Sequence, residues 1–278
     1  MSANRSPRQG IQSVETGMHL LQVLAHANQA MSLKDLSGAA AMPAAKAHRY
    51  LVSLIRVGLV EQDPLTSHYD LGTGALQLGL AALNRLDPLR VALPALERLR
   101  AQIDQTVALS VWGTHGATIV RWLESSHPVT AGLRTGAVLP LTRSATGRAF
   151  AAYLPPAETD TLVDAELRHV PIRERAARRK QFDQALAAVR RQGLAGVAGD
   201  LIPGINAIAA PVFDASGRAV LVIAALGYAA TFDAKADGGI ARAVKAATAA
   251  LSERLGHGHY HGGDRLAGRL VHGIAARS

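Results

Sequence analysis

From Ser13 the apolar residues repeat with the period of a helix. Val14, Met18, Leu21 and Leu24 fall at i, i+4, i+7 and i+10, which predicts one amphipathic face over 12–27. Asn28 and Gln29 end the run. Ser32 then suits the N-cap of a short second helix carrying Leu33 and Leu36 and closing near Ala41. Met42 and Pro43 break the chain again, and proline, its φ already helical, fits the first turn of a third helix. That helix sets Ala47, Tyr50, Leu51, Leu54 and Ile55 on one side and stops at Gly58, a good C-terminal residue. Two short extended runs at 59–62 and 68–71, around a polar loop containing Pro64, read as a hairpin. Three helices and a hairpin over 11–72 are the layout of a winged helix-turn-helix.

The pattern continues with a helix over 73–86, expected to connect two domains, and a second from Leu89 to Ile103 after Asp87 and Pro88. After Thr106 the period changes. The runs 107–112 and 118–123 around a 113–116 turn predict a hairpin, and 130–134, 207–213 and 219–226 are further extended runs. Helices are predicted at 145–154, 157–167, 179–192 and 240–255. Strands and helices joined in this way imply an α+β class with an antiparallel sheet. The expected organisation is a disordered arm at 1–10, a winged helix-turn-helix at 11–72, a linker helix at 73–88, an α+β domain at 89–256 and a Gly- and His-rich tail at 257–278.

Composition narrows the choice of partners. The 278 residues carry 30 Lys and Arg against 21 Asp and Glu, a formal charge of +9 that favours a polyanionic partner. No cysteine is present, so disulfides, thiol nucleophiles and cysteine-based metal sites are excluded. The polar opening MSANRSPRQG does not read as a signal peptide, and the longest apolar run, 219–230, is too short to span a bilayer. A cytoplasmic protein with no membrane partner is expected.

Candidate chemistry concentrates in the third helix. Its N-terminal half would enter the major groove, with Ala44 and Ala45 small enough for close approach or contact with a thymine methyl. Lys46 and Arg49, three apart, share a side; Arg49 could fork onto guanine, while Lys46 and His48 suit phosphates. Tyr50 completes the candidate DNA-binding set. Residues 1–60 hold six Lys and Arg against two acids, which fits that use, although an ordinary amphipathic helix with a solvated basic face has the same pattern. Enzyme motifs are absent: there is no P-loop, no G-x-G-x-x-G after a strand, no H-E-x-x-H and no G-x-S-x-G. Ser144, near Arg143 and Arg148, lacks an evident His or Asp partner. No enzyme, cofactor or metal is expected. His257, His259 and His261 alternate in the tail, but a Gly-rich tail pre-organises little metal binding. The basic run Arg168, Arg173, Arg175, Arg178, Arg179 and Lys180 reads as a solvated helix face paired at i, i+4 with nearby acids. Trp112 and Trp122, on the first hairpin, suit either packing or the wall of a cavity.

Several blocks, in order and spacing, are similar to the IclR family of bacterial transcriptional regulators over roughly 11–256. They are the opening from Ser13 to Leu21, Pro43 to Leu51, Val57 to Val60, Gly136 to Leu141, Ser144 to Ala149, Gly193 to Ala195 and Pro203 to Asp214. The resemblance implies a winged helix-turn-helix, a linker helix and a GAF- or PAS-like domain that binds a small effector. It also implies a homodimer or dimer of dimers on a near-palindromic operator. The effector residues it implies are Leu139, Ser144, Ala145, Thr146, Gly147, Asp200, Ala207, Ala224 and Leu226. The chain departs from the family at Arg148, where Lys is usual, at 198–200, and at Ala224 and Leu226, where hydroxylated residues are common. Losing those hydroxyls makes the wall more apolar, so the expected effector is a carboxylate with a sizeable apolar body; alternatively these residues only fill a core.

Overall fold

The computed structural model describes residues 10–27, 29–129 and 132–258. It divides into two compact units with the boundary between Leu86 and Asp87. The first contains α1 (Gln12–His26), α2 (Leu33–Ala39), α3 (Ala44–Arg56), the strands β1 (Val60–Gln62) and β2 (Tyr69–Leu71), and α4 (Thr73–Arg85). Ser32 caps α2 by accepting from Asp35 N at 3.2 Å, and its hydroxyl donates to the Asp35 carboxylate. The strands pair antiparallel from Val60–Leu71 to Gln62–Tyr69, and Met31 bridges to Tyr69 as a third backbone edge. Leu20, Leu21, Leu24, Leu36, Ala47, Leu51, Val60 and Tyr69 form one buried core beneath the helices and the wing.

Two glycines fix the corner where the wing meets α4. Gly58 ends the α3 turn at φ +72°, and Gly74 N donates to its carbonyl at 2.8 Å. A Cβ on Gly74 would lie 2.7 Å from that same carbonyl oxygen, so only glycine lets α4 start here.

The second unit is a six-stranded antiparallel sheet between two helical layers. Its elements are α5 (Pro88–Ile103), β3 (Thr106–Gly113), β4 (Gly116–Leu123), β5 (Val138–Leu139), α6 (Ala145–Tyr153), α7 (Pro156–Leu167), α8 (Ile172–Gln192), β6 (Ala195–Ala198), β7 (Ile205–Phe213), β8 (Ala219–Tyr228) and α9 (Gly239–Arg254). The strand order is β5-β4-β3-β8-β7-β6. Period-2 alternation sends Ala108, Ile119, Ala209, Val222 and Ala224 to the face covered by α6, α7 and α8. Val107, Leu109, Ile208, Leu221 and Ile223, equally buried, take the opposite face, where α5 and α9 pack on β3, β7 and β8. Among the described residues no helix is long and apolar enough to cross a membrane.

Several expectations change. The buried stripe of α1 is Gly17, Leu20, Leu21 and Leu24, whereas Val14 and Met18, expected on that face, are exposed together with Ile11. Leu21 and Leu24 belong to both stripes, so the period is right and packing shifts only its edge, leaving Val14 and Met18 on the flank. The run 130–134 is not a strand where it is described, at 132–134; the strands the pattern missed are the two-residue β5 and the four-residue β6, too short for a period to register. Helix α8 starts at Ile172 rather than Arg179, because Pro171 precedes its first turn. Thr130 and Ala131, and from the tail residues His259 and His261, lie outside the described residues.

Candidate functional site

Helix α3 presents two different sides. Ala47 and Leu51 are buried, and Tyr50, Leu54 and Ile55 pack half-buried against the core of the first unit. The outward side carries Ala45, Arg49, Val52 and Arg56 in one stripe at i, i+4, i+7 and i+11, flanked by the exposed Ala44 and His48. Lys46 sits on the edge of that stripe, half-buried. Tyr50 therefore stands on the inward flank, apart from the exposed candidates. Arg56 had no place among the sequence candidates, yet the 3.6-residue period that selects Arg49 also selects it seven residues on. No acid lies in α3 to neutralise these cations.

The wing contrasts with α3 in charge. Glu61, Asp63 and Asp70 are exposed on it, and 59–71 hold no Lys or Arg. Asp63 Oδ1 accepts from Leu65 N at 2.7 Å and Thr66 N at 3.1 Å. The N–H groups of Thr66 and then Leu65 hold its carboxyl below the usual aspartate range. The result is an ordered tip that raises Leu65 to 93% exposure.

In the second unit the cavity lies between the sheet and the start of α6. It is small, with a free volume of about 40 Å³. Its floor is built from small side chains on adjacent strands. Ala108 pairs with Ala224, and Leu226 pairs with Ala207, so β3, β8 and β7 bring alanines to one patch. Trp122, Ile119 and Leu139 wall one end; Leu133, Leu201 and Ile202 complete it from loops. The one helix terminus at this surface is α6, whose Ser144, Ala145 and Thr146 line it.

The approach to α6 is held from both sides. Glu166 accepts from Leu141 N at 2.6 Å, Thr142 N at 2.9 Å and the Thr142 hydroxyl at 2.6 Å. Gly147 lets Pro140 and Leu141 approach: a Cβ there would come within 2.5 Å of Leu141 Cα. Ser144 Oγ accepts from Gly147 N at 2.8 Å and donates to Pro140 O at 2.7 Å. The N–H groups of Ala145 and Thr146, which precede any intrahelical acceptor, find none among the described residues. These free donors, with the dipole behind them, suit an anion.

Two arginines next to this loop are already engaged. Arg148 donates from Nε and Nη2 to Thr142 O at 3.0 and 2.9 Å, from Nη1 to Gly196 O at 3.2 Å, and pairs with Asp200 at 2.7 Å. Arg143 donates to Asp200 O at 3.0 Å and to Leu201 O at 3.2 Å. Together they clamp the loop 199–204, whose ends Gly199 and Gly204 have φ of +75° and +79° and whose Leu201 and Ile202 roof the cavity.

Leu139, Ser144, Ala145, Thr146, Ala207, Ala224 and Leu226 thus converge on one surface. Gly147 lies behind them as a spacer, and Asp200 faces Arg148 instead of the cavity. The sequence singled out Trp122 only as one of two options, and it lines the cavity. Trp112 packs on Phe150, with ring centroids 5.6 Å apart. Ala108, Ile119, Val197 and the roof residues were missed, since a chain pattern carries no record of which strands become neighbours. In the basic run, Arg179 binds Asp160, Asp164 and Asp183 at 2.8–3.2 Å, and Arg175 donates to the carbonyls of Val170 and Arg168. His257 stacks 4.9 Å from Phe213, and no group of three metal-ligating side chains occurs among the described residues.

Two family models match the chain. One, the C-terminal domain of bacterial IclR transcriptional regulators, covers residues 80–253; the other, the IclR helix-turn-helix domain, covers 13–64. The glycerol operon regulatory protein of Streptomyces coelicolor is 28% identical over 255 residues, 90% of this chain and 98% of that one. The transcriptional repressor IclR of Escherichia coli is 26% identical over 206 residues, 73% of this chain and 75% of that one. The crystal structure of HmgR from Pseudomonas aeruginosa is 40% identical, with a TM-score of 0.83 over 91% of this chain and all of that one.

Proposed function

The chain belongs to the IclR family of bacterial transcriptional regulators, and from that premise we propose that a small carboxylate with an apolar body controls its grip on operator DNA. It is a DNA-binding regulator with an effector domain, not an enzyme. In this reading the outward stripe of α3 enters the major groove. Arg49 reads a base edge, and His48, Lys46 and Arg56 hold phosphates. The acidic wing contributes by the shape of its tip rather than by charge, because three carboxylates near phosphates would repel them.

The observation that carries the effector half is the cavity itself: an alanine floor, apolar walls and one polar end, the start of α6. A carboxylate accepts from the free N–H groups of Ala145 and Thr146, with the Thr146 hydroxyl beside them, and the rest of the molecule lies on Ala108, Ala207 and Ala224. Arg143 and Arg148 act one step removed, as positioning residues. They hold the roof loop over the ligand and leave the helix start as the anion site. Because the free space is small, a ligand of useful size requires Leu133, Leu201 and Ile202 to give way. That movement is the step through which occupancy can favour one arrangement of the protein over another.

The exposed apolar residues of the first unit support a homodimer, alone or paired into a dimer of dimers. Ile11, Val14 and Met18 on α1 and Leu76, Leu78 and Leu80 on α4 stand in solvent on a small domain whose core is already complete. A two-fold partner would cover them and match a near-palindromic operator.

The test combines two measurements on the full chain. Thermal melting against a panel of carboxylic acids should show saturable stabilisation by aromatic or branched acids, about 2.7 kcal/mol at a hundred times Kd. The same acids should change its affinity for the DNA upstream of its own gene. Tighter binding of pyruvate or glyoxylate than of every larger acid would overturn the ligand class. An affinity for that DNA equal to scrambled duplex at moderate salt would overturn the DNA-binding assignment.

A further inference from the structure

One large apolar side chain of α3 is on the wrong side for packing. Tyr50, Leu51, Leu54 and Ile55 all belong to the core of the first unit or pack against it, and Val52 does neither. At about 100° per residue it lies about 160° round the helix from Leu54, so it points away from the core rather than along its margin. It is half-buried there, with the exposed Arg49 one turn before it and the exposed Arg56 one turn after it.

A helix face meant only for solvent has no need of valine. Its branched Cβ restricts χ1 and makes it a poorer helix former than the Lys, Glu or Gln that commonly cover such a side, and the outward placement gains no packing on the core in return. The stripe as a whole has two ingredients: the apolar Ala45 and Val52 alternate with the guanidinium groups of Arg49 and Arg56. The amides and carboxylates that read adenine and cytosine are missing, since α3 contains no Asn, Gln, Asp or Glu. Ser53, on the flank, turns its hydroxyl back to Arg49 O at 3.3 Å. A face of this composition matches two features of the major groove, the methyl group of thymine and the O6 and N7 edge of guanine.

We infer that Val52 is a base-reading residue, packing on the methyl group of a thymine close to the base pair that Arg49 reads. This rests on the DNA-binding reading given above and names the bases it selects. Three residues of helix rise about 4.5 Å and one base-pair step about 3.4 Å. With α3 lying along the groove, the thymine falls within about two steps of the guanine contacted by Arg49. Each half-site carries a guanine with a thymine near it, and Val52 discriminates against cytosine and uracil, which lack the methyl.

Fluorescence anisotropy of the full chain on the DNA upstream of its own gene tests this, with each thymine in turn replaced by deoxyuridine. That replacement removes the methyl and leaves the hydrogen-bonding edge unchanged. The wild-type protein should bind about fourfold more weakly when one particular thymine of a half-site is replaced, the worth of one buried methyl group. Val52→Ala should bind the unmodified duplex more weakly by at least a similar factor and show no further loss with deoxyuridine at that position. Its melting temperature and its affinity for scrambled duplex should match wild type. The inference is overturned if no thymine methyl matters to the wild-type protein, or if the same methyl matters equally to Val52→Ala. It is also overturned if the variant melts several degrees lower, which would make the valine a part of the core. A preference for the upstream DNA that is indifferent to every thymine methyl sinks only this inference, whereas equal affinity for that DNA and for scrambled duplex takes the DNA-binding reading with it.

Discussion

Arg49 and Arg56 project from the same side of α3, but the proposed reading gives them different tasks. Arg49 lies in the N-terminal half that a recognition helix inserts, and Arg56 is its last residue. Arg49→Ala should weaken operator binding by about 1–3 kcal/mol and relax the preference at one base pair. Arg56→Ala should weaken operator and scrambled duplex alike and lower the salt dependence by about one phosphate contact. Electrophoretic mobility shifts at several salt concentrations separate the two; equal losses of base preference would show that both read sequence. At this scale the sequence was a good guide on α3, because exposure along an isolated helix follows from spacing. Asp200, which the family resemblance places among the effector residues, is a different case: Arg148 pairs with it across 52 residues of chain, and it does not line the cavity.

The start of α6 shows how much an element depends on what holds it. Its cap, Ser144, is local and readable from the chain. Its placement against the cavity is not, since it needs the Glu166 carboxylate 24 and 25 residues away and the absence of a side chain at Gly147. Gly147→Ala drives a methyl into the backbone of Pro140 and Leu141, neither of which is a flexible side-chain end. The variant should lose about 1–3 kcal/mol from the second unit and its response to carboxylates, while α3 remains folded. Far-UV circular dichroism melts of the full chain, with operator binding measured in parallel, read both effects. An unchanged melt with full carboxylate response would remove the cradle argument. The short strands β5 and β6 belong to the same lesson: two and four residues hold no period, and their pairing with β4 and β7 makes them strands.

For the whole molecule, the decisive feature is the apolar surface left on the first unit. Met18 is 49% and Val14 60% exposed, on the flank of the buried stripe of α1. In the proposed dimer, burying the exposed half of one such side chain contributes about 0.8–1.5 kcal/mol, counted twice across a two-fold. Met18→Glu should therefore weaken self-association by at least about tenfold with the melting of the subunit unchanged. Light scattering at micromolar concentration, followed by titration of the operator, measures both. A dimer as tight as wild type would place the interface elsewhere.

What can be read along the chain is what residues three or four apart decide among themselves: helix periods, caps, the proline and glycine stops, and so the helix–helix–helix–wing order of the first unit and the α+β character of the second. The order of family blocks adds the proposed effector loop to that. The contents of the cavity were legible only in part, because floor residues such as Ala108, Ala207 and Ala224 are neighbours through strand register alone, from segments far apart in the chain. Which flank of α1 stays in solvent and which acid Arg148 binds are likewise outcomes of packing. Each depends on which surfaces meet, and competition among distant groups for the same contacts has no signature at short range.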